Sequence, residues 1–170
     1  MLRFEKFTED HIPLYYSWRN DPEVAQFDQS GFIRPMSYNE VAEWSQIMVD
    51  GQTFVAYDDD IALGTCAFMN LDQRNGHAEL AIVIGNKDYW SQGFGTKIMK
   101  QLLEWGFYGL NLNRLYLHVF STNTRAIGLY EKMGFVKEGE MREMLFQHGK
   151  PVNLICYGML RNEYIKKYTE

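Results

Sequence analysis

YWSQGFGTK, Tyr89 to Lys97, is the stretch that decides how the rest of this chain is read. An apolar run, Leu80 to Ile84, precedes it. After it, Gly95, Ile98, Met99, Leu102, Leu103 and Gly106 recur at helical spacing, while Lys97, Lys100, Gln101 and Glu104 fall outside that stripe. A strand, a glycine turn and a helix in this order put Gly93 and Gly95 where the backbone can approach a ligand. The unpaired N–H groups of residues 92–96 then point outward, with the positive end of the helix dipole behind them. Two phosphate cradles are excluded by the residues that follow. A dinucleotide fingerprint needs Gly or Ala where Ile98 stands, and a Walker A loop needs Lys followed by Ser or Thr, whereas the order here is Gly95-Thr96-Lys97. On this stretch alone two readings stay open: an anion site, and a tight turn that only permits close helix packing.

The 170 residues suffice for one domain with a sizeable core, and no linker, repeat or low-complexity run divides them, so residues 1–170 read as a single domain. Seventeen basic against 22 acidic side chains give a formal charge of −5, which argues against a nucleic-acid or anionic-membrane surface and mildly favours cationic partners. The start MLRFEKF is too charged for a signal peptide, and no apolar segment of about 18 residues occurs, so a cytoplasmic location is expected. Cys66 and Cys156 lie far apart in strand-like runs and are expected as buried free thiols. No metal is expected. The adjacent carboxylates Asp58, Asp59 and Asp60 read as a solvated hairpin tip, because hard-cation loops space their ligands along a longer segment with a glycine bend.

Taken in order, the chain opens with a strand over Leu2 to Phe7, then Thr8 as an N-cap and a helix from about Asp10 to Trp18 that tolerates Pro13 in its first turn. Pro22 opens a short second helix. Asp28 to Met36 reads as loop, punctuated by Gly31 and Pro35. Ser37 and Glu40 form a capping box for a helix to about Val49, with Val41, Trp44, Ile47 and Met48 as its apolar stripe. Gln52 to Tyr57 and Ile61 to Leu71 form a hairpin, and Asp72 to Gly76 is a turn. In the strand His77 to Gly85, the continuous apolar run LAIVI predicts burial on both faces. Arg114 to Ser121 alternates as a strand, and Thr124 to Met133 is a helix with Asn123 as N-cap and Gly134 as its left-handed end. Phe135 to Gln147 and Pro151 to Leu160 close the chain as a second hairpin, followed by a short helix over Arg161 to Tyr168.

The segment Asn123-Thr-Arg-Ala126-Ile-Gly-Leu-Tyr130-Glu-Lys-Met-Gly134-Phe135 follows the glycine turn by one helix and one strand. The pair resembles the Gcn5-related N-acetyltransferase superfamily, in which a Q/R-x-x-G-x-G/A loop and a downstream N-x-x-A-x-x-x-Y-x-x-x-G-F segment share the cofactor. The order of elements is similar over nearly the whole chain. WRNDPEV, the Tyr89-Trp90 pair and EKMGFVKEGEMRE look like the branch of ribosomal-protein N-terminal, spermidine and amino-sugar acetyltransferases. The resemblance implies an α/β fold with a mixed, twisted sheet of about seven strands and about four helices. It also implies acetyl-CoA as co-substrate and transfer of its acetyl group to a primary amine: a polyamine, an amino sugar or aminoglycoside, or a protein N-terminus. One departure stands out. Trp90 occupies the position where many members carry Gln or Arg, which leaves the anion to the backbone amides.

Carried onto this chain, the resemblance makes Ile82, Val83 and Ile84 line the pantetheine arm, with a strand amide at about Ile84 as donor to the thioester carbonyl. Gln92, Gly93, Phe94, Gly95 and Thr96 hold the pyrophosphate, Asn123 contacts the cofactor, and Tyr130 sets its hydroxyl near the sulfur. Acetyl transfer needs a neutral amine, donors for the developing oxyanion and a proton for the thiolate. A phenol, with a pKa near 10 against roughly 8.5 for a thiol, suits the last of these, so Tyr130 is the expected general acid. Glu79, read as lying one face away from the buried run, is the expected base through a water; otherwise it orders the active-site floor, or there is no dedicated base and the amine arrives neutral. His118 is expected as an ordinary hydrogen-bonded strand histidine rather than a relay. Tyr15, Tyr16, Trp18, Phe27 and Phe32, with Glu23, Asp28, Glu40 and Glu43, are candidates to shape the amine pocket. A CoA-binding module without turnover, an enzyme using another acyl-CoA, and a nucleotide-dependent enzyme are the alternatives, and a homodimer through the final hairpin is compatible with the sequence.

Overall fold

The computed structural model describes residues 1–28 and 33–170. Gly31 and Phe32, expected in a loop and at the amine pocket, lie outside them. Seven strands, β1 (Leu2–Lys6), β2 (Gln52–Asp58), β3 (Ile61–Asp72), β4 (His77–Ile84), β5 (Arg114–Phe120), β6 (Val136–Gln147) and β7 (Lys150–Leu160), are hydrogen-bonded in the order β1-β2-β3-β4-β5-β7-β6. The sheet is mixed: β4 and β5 are parallel, while β1–β2, β2–β3, β5–β7 and β6–β7 are antiparallel. The described residues carry α1 (Ile12–Arg19), α2 (Pro22–Ala25), α3 (Tyr38–Asp50), α4 (Phe94–Glu104), α5 (Thr124–Met133) and α6 (Arg161–Tyr168). The resemblance implies about four helices; α2 and α6, which take the number to six among the described residues, fall where the sequence marks a helix opening at Pro22 and a short one at the end. None of the described helices is long and apolar enough to cross a membrane.

The chain divides into two compact units. The first comprises residues 1–69 and 81–98, and its core is Phe7, Ile12, Tyr15, Trp18, Val24, Val41 and Val55, with Val83 and Trp90 packed against it. Local signals in this unit act as the sequence predicts. Asp21 caps α2 ahead of Pro22, and Ser37 and Glu40 exchange side-chain to backbone bonds at the start of α3. The stripe of α3 is different from the expected one. Val41 and Ser45 are buried, Ser45 donating to the Val41 carbonyl at 2.6 Å, whereas Ile47 is 74% exposed. Six residues turn a helix by about 240° from Val41, so Ile47 cannot share the face that Val41 and Ser45 present. Trp44 is also exposed and stacks flat on Tyr15 with ring centroids 5.8 Å apart.

The second unit comprises residues 70–80 and 99–170. Leu102, Leu103, Phe107, Leu115, Leu117, Tyr157 and Met159 fill its interior. Seven couples join β5 to β7, from Arg114 with Leu160 to Phe120 with Leu154. Gly134, at φ +98, ends α5 in a left-handed turn in which Phe135 donates to the Tyr130 carbonyl at 3.0 Å.

β4 departs from its expected burial. Ala78, Glu79 and Leu80 are buried, but Ala81, Ile82, Val83 and Ile84 are only half-buried. The register explains the break: β4 pairs with β5 through His77–Arg114, Ala78–Leu115 and Glu79–Tyr116, and the pairing stops there. An apolar run therefore does not measure burial when its strand loses a neighbour halfway along.

Candidate active site

The glycine turn belongs to the first unit. β4 runs into Gly85, against which the Trp18 ring packs so closely that a Cβ would meet it at 2.1 Å. Asn86 then caps a short turn over Lys87–Tyr89. Trp90 closes the segment by donating its indole N–H to the Ile84 carbonyl at 2.8 Å. The side chain that replaces a phosphate-contacting Gln or Arg thus pins the turn to the end of β4, a role the sequence reading missed. Ser91 and Gly93 take positive φ, +61 and +83, and a Cβ built on Gly93 would meet nothing within 4 Å. Gly93 is therefore required by its backbone conformation and stands beside open space. α4 starts at Phe94, and Lys97 is the first residue of its ladder, donating to the Gly93 carbonyl at 3.2 Å. The N–H groups of the first turn consequently face outward at the positive end of the helix. Gln92 bends its amide back to the Asp88 carbonyl, and the Phe94 ring is buried, so at these positions the main chain is what faces a ligand.

The carboxylate lies in the second unit. Glu79, expected one face away from the buried run, is itself buried, at 5% exposed. Its Oε2 accepts from Asn70 Nδ2 at 2.8 Å, and its Oε1 is 2.7 Å from His118 Nδ1. The parallel register makes this contact: Glu79 pairs with Tyr116, and His118 is two residues further along the same face of β5. His118, expected as a hydrogen-bonded strand histidine, is one, and its partner is the buried glutamate. Asn70 was missed. Its only sequence signal is an amide inside an apolar run, and its backbone is left-handed at φ +49, a conformation Asn tolerates better than most residues.

Tyr130 occupies the opposite face. Leu117 pairs with Tyr157, and the Tyr130 ring lies 6.3 Å from Tyr157 and 5.9 Å from Phe135. Tyr157 donates to Glu131 Oε1 at 2.8 Å and so ties α5 to β7. The Tyr130 ring is buried, and burial pushes the phenol up to about 12. Its hydroxyl has no hydrogen-bond partner among the described residues, yet it is not among the sealed polar atoms, so it opens to solvent. Asn123 spends its Oδ1 on capping α5, accepting from Ala126 N at 3.3 Å.

The other candidates are largely committed elsewhere. Glu23 pairs with Lys87 at 3.1 Å, and Glu40 is held by Arg34 and Ser37. Tyr15 and Trp18 belong to the core of the first unit. Arg3 bonds the Asp59 carbonyl at the hairpin tip, and the Cys66 thiol is buried and pushed up to about 12. Cys156 is half-buried rather than buried.

A family model described as an acetyltransferase (GNAT) domain matches residues 1–136. The chain is similar to the uncharacterized N-acetyltransferase p20 of Bacillus licheniformis, 30% identical over 162 residues that cover 92% of this chain and 90% of that protein. It is similar to the spermidine N(1)-acetyltransferase of Vibrio cholerae, 30% identical over 166 residues covering 98% and 91% respectively. Among solved structures, spermidine N-acetyltransferase from Vibrio cholerae in complex with CoA and spermine aligns with a TM-score of 0.86 at 24% identity, covering 96% of this chain and 98% of that one. At that identity the likeness is one of fold.

Proposed function

The chain belongs to the GNAT acetyltransferase family, and on that premise we propose that it moves the acetyl group of acetyl-CoA directly to a primary amine, with a polyamine such as spermidine first among acceptors. The observation that carries the reading is the family match over residues 1–136, which spans both the glycine turn and the Tyr130 segment. The polyamine follows from the spermidine acetyltransferase that is similar over 98% of the chain.

Acetyl-CoA supplies the thioester carbonyl. The amides of Gly93 to Thr96 take its pyrophosphate, and the open space beside Gly93 suits that load. Ile82, Val83 and Ile84 offer half-buried apolar side chains to the pantetheine arm. The Ile84 carbonyl accepts from Trp90, and its N–H is the group that can donate to the thioester carbonyl oxygen. Asn123, with Oδ1 spent as a cap, contributes its amide N–H groups.

Tyr130 serves the departing thiolate. In the reaction an ammonium and a thioester become an amide, a thiol and one proton: the N–C bond forms, the C–S bond breaks, one amine proton goes to solvent and another ends on sulfur. A phenol at about 12 is a weaker acid than a thiol at roughly 8.5, so outright transfer is uphill by about 5 kcal/mol. Tyr130 therefore acts as a hydrogen-bond donor to sulfur and releases its proton as the new amide nitrogen sheds its own.

The test is thiol release from acetyl-CoA by the purified chain against spermidine, an aminoglycoside, a nucleotide amino sugar and peptides beginning with Ala or Ser. Release with spermidine is expected to lead. Failure to release thiol with any of these amines, alongside CoA-dependent thermal protection, would leave a CoA-binding module, and a preference for succinyl-CoA would change the donor. Gly93→Val should raise the acetyl-CoA KM at least tenfold, and an unchanged KM would move the pyrophosphate elsewhere. Light scattering on the same preparation tests the homodimer.

A further inference from the structure

We propose that the group which takes the proton from the incoming ammonium is the His118 imidazole, through Nε2, and that Glu79 is its positioning residue rather than the base. The inference rests on the acetyl-transfer reading above and names the atom that reading needs.

Three observations carry it. The Glu79 carboxylate is 5% exposed, and each of its oxygens already has a partner within the second unit, Asn70 on Oε2 and His118 on Oε1. Buried and already hydrogen-bonded on both oxygens, the carboxylate leaves little of itself for an ammonium to reach. His118 is the accessible member of the pair, with 24% of its side chain exposed against 6% for Glu79. Its Nε2 has no hydrogen-bond partner among the described residues and is not among the sealed polar atoms, so it faces solvent.

The contact also fixes the chemistry of the ring. A carboxylate only accepts, so the 2.7 Å contact makes Nδ1 the N–H donor and leaves the lone pair on Nε2. When Nε2 takes a proton from the ammonium, directly or through one water, the imidazolium forms against a carboxylate that is already in place. The amine is left neutral with its lone pair free, and the proton returns from Nε2 to solvent after turnover.

The neighbouring groups leave Glu79 as the charge that matters. Tyr116 packs edge-on against the His118 ring and burial raises its phenol, so it stays neutral. Cys156, opposite His118 on β7, is likewise raised by burial. Arg114 and Glu138 pair with each other, and His77 lies 3.8 Å from Asp72.

The experiment measures thiol release with acetyl-CoA and spermidine from pH 5.5 to 9 for wild type, His118→Gln and Glu79→Gln, with thermal unfolding of each. We expect His118→Gln to lose about 10²-fold in kcat/KM for spermidine at pH 7 and to flatten the rise of the profile with pH, with the acetyl-CoA KM unchanged. Glu79→Gln should lose less and keep a rise. A wild-type profile in His118→Gln, or loss of the rise in Glu79→Gln alone, would overturn the assignment while leaving acetyl transfer intact. If wild type releases no thiol with any amine, the acetyl-transfer reading fails and this assignment with it. Should His118→Gln not fold, nitrogen-15 spectra of the native chain decide: the Nδ1–H tautomer at pH 8 supports the assignment and the Nε2–H tautomer overturns it.

Discussion

The two faces of β5 in the second unit house their proposed functional side chains in opposite ways. On one, Glu79 is buried among polar partners, with Asn70 and His118 satisfying its oxygens. On the other, Tyr130 is buried among the Tyr157 and Phe135 rings with no partner for its hydroxyl among the described residues. A charged group is tolerated inside when it is hydrogen-bonded, whereas burial of a phenol keeps it in its neutral form. The first arrangement holds a fixed negative charge beside an imidazole; the second holds a proton. Acetyl transfer to an ammonium needs both, a place for one proton to go and a donor for the leaving sulfur.

The largest effect separating the faces is expected from Tyr130→Phe. It should lower kcat about 10²- to 10³-fold with little change in thermal stability, because the hydroxyl makes no bond that folding would lose. Unaltered acetylation of every amine would remove Tyr130 from the chemistry. Glu79→Ala should behave in the reverse sense, costing about 2–3 kcal/mol in urea unfolding by stranding Asn70 and the His118 Nδ1–H. A loss below about 0.5 kcal/mol would mean that water readily replaces the carboxylate.

The smallest effect is alkaline. Tyr130 sits at about 12 in the fold against roughly 10 when unfolded, so the neutral phenol is favoured by folding. That contribution is complete below pH 10 and is lost as pH rises toward 12, at up to about 1.4 kcal/mol per pH unit. Unfolding of wild type at pH 9 and pH 11 should therefore show a steeper decline than Tyr130→Phe. Equal slopes would mean that the hydroxyl is already as hydrated in the fold as it is in the unfolded chain.

Much of this was legible before the fold was known. Local rules placed the capping box at Ser37 and Glu40, the turn at Pro22, the cap at Asn123 and the left-handed Gly134, because each depends only on residues a few positions apart. The half-burial of Ala81 to Ile84 was not legible, since it depends on where β4 stops pairing with β5. Nor was the exposure of Trp44 and Ile47, where a seven-residue span fits more than one helical face. The Glu79–His118 contact joins residues 39 positions apart and follows from the register of two parallel strands, which neither strand encodes alone.

By itself, then, the sequence determined the elements, the glycine turn that opens α4 and the paired segment around Tyr130, all of which rest on short-range sterics and hydrogen bonding. Only the tertiary structure decided which side chains meet. It sealed Glu79 behind Asn70 and His118, turned Tyr130 to the other face of β5, and used Trp90 to pin the turn to Ile84. The physical reason is that strand register and burial are properties of the assembled sheet, where one residue's exposure depends on a neighbour supplied by a distant part of the chain.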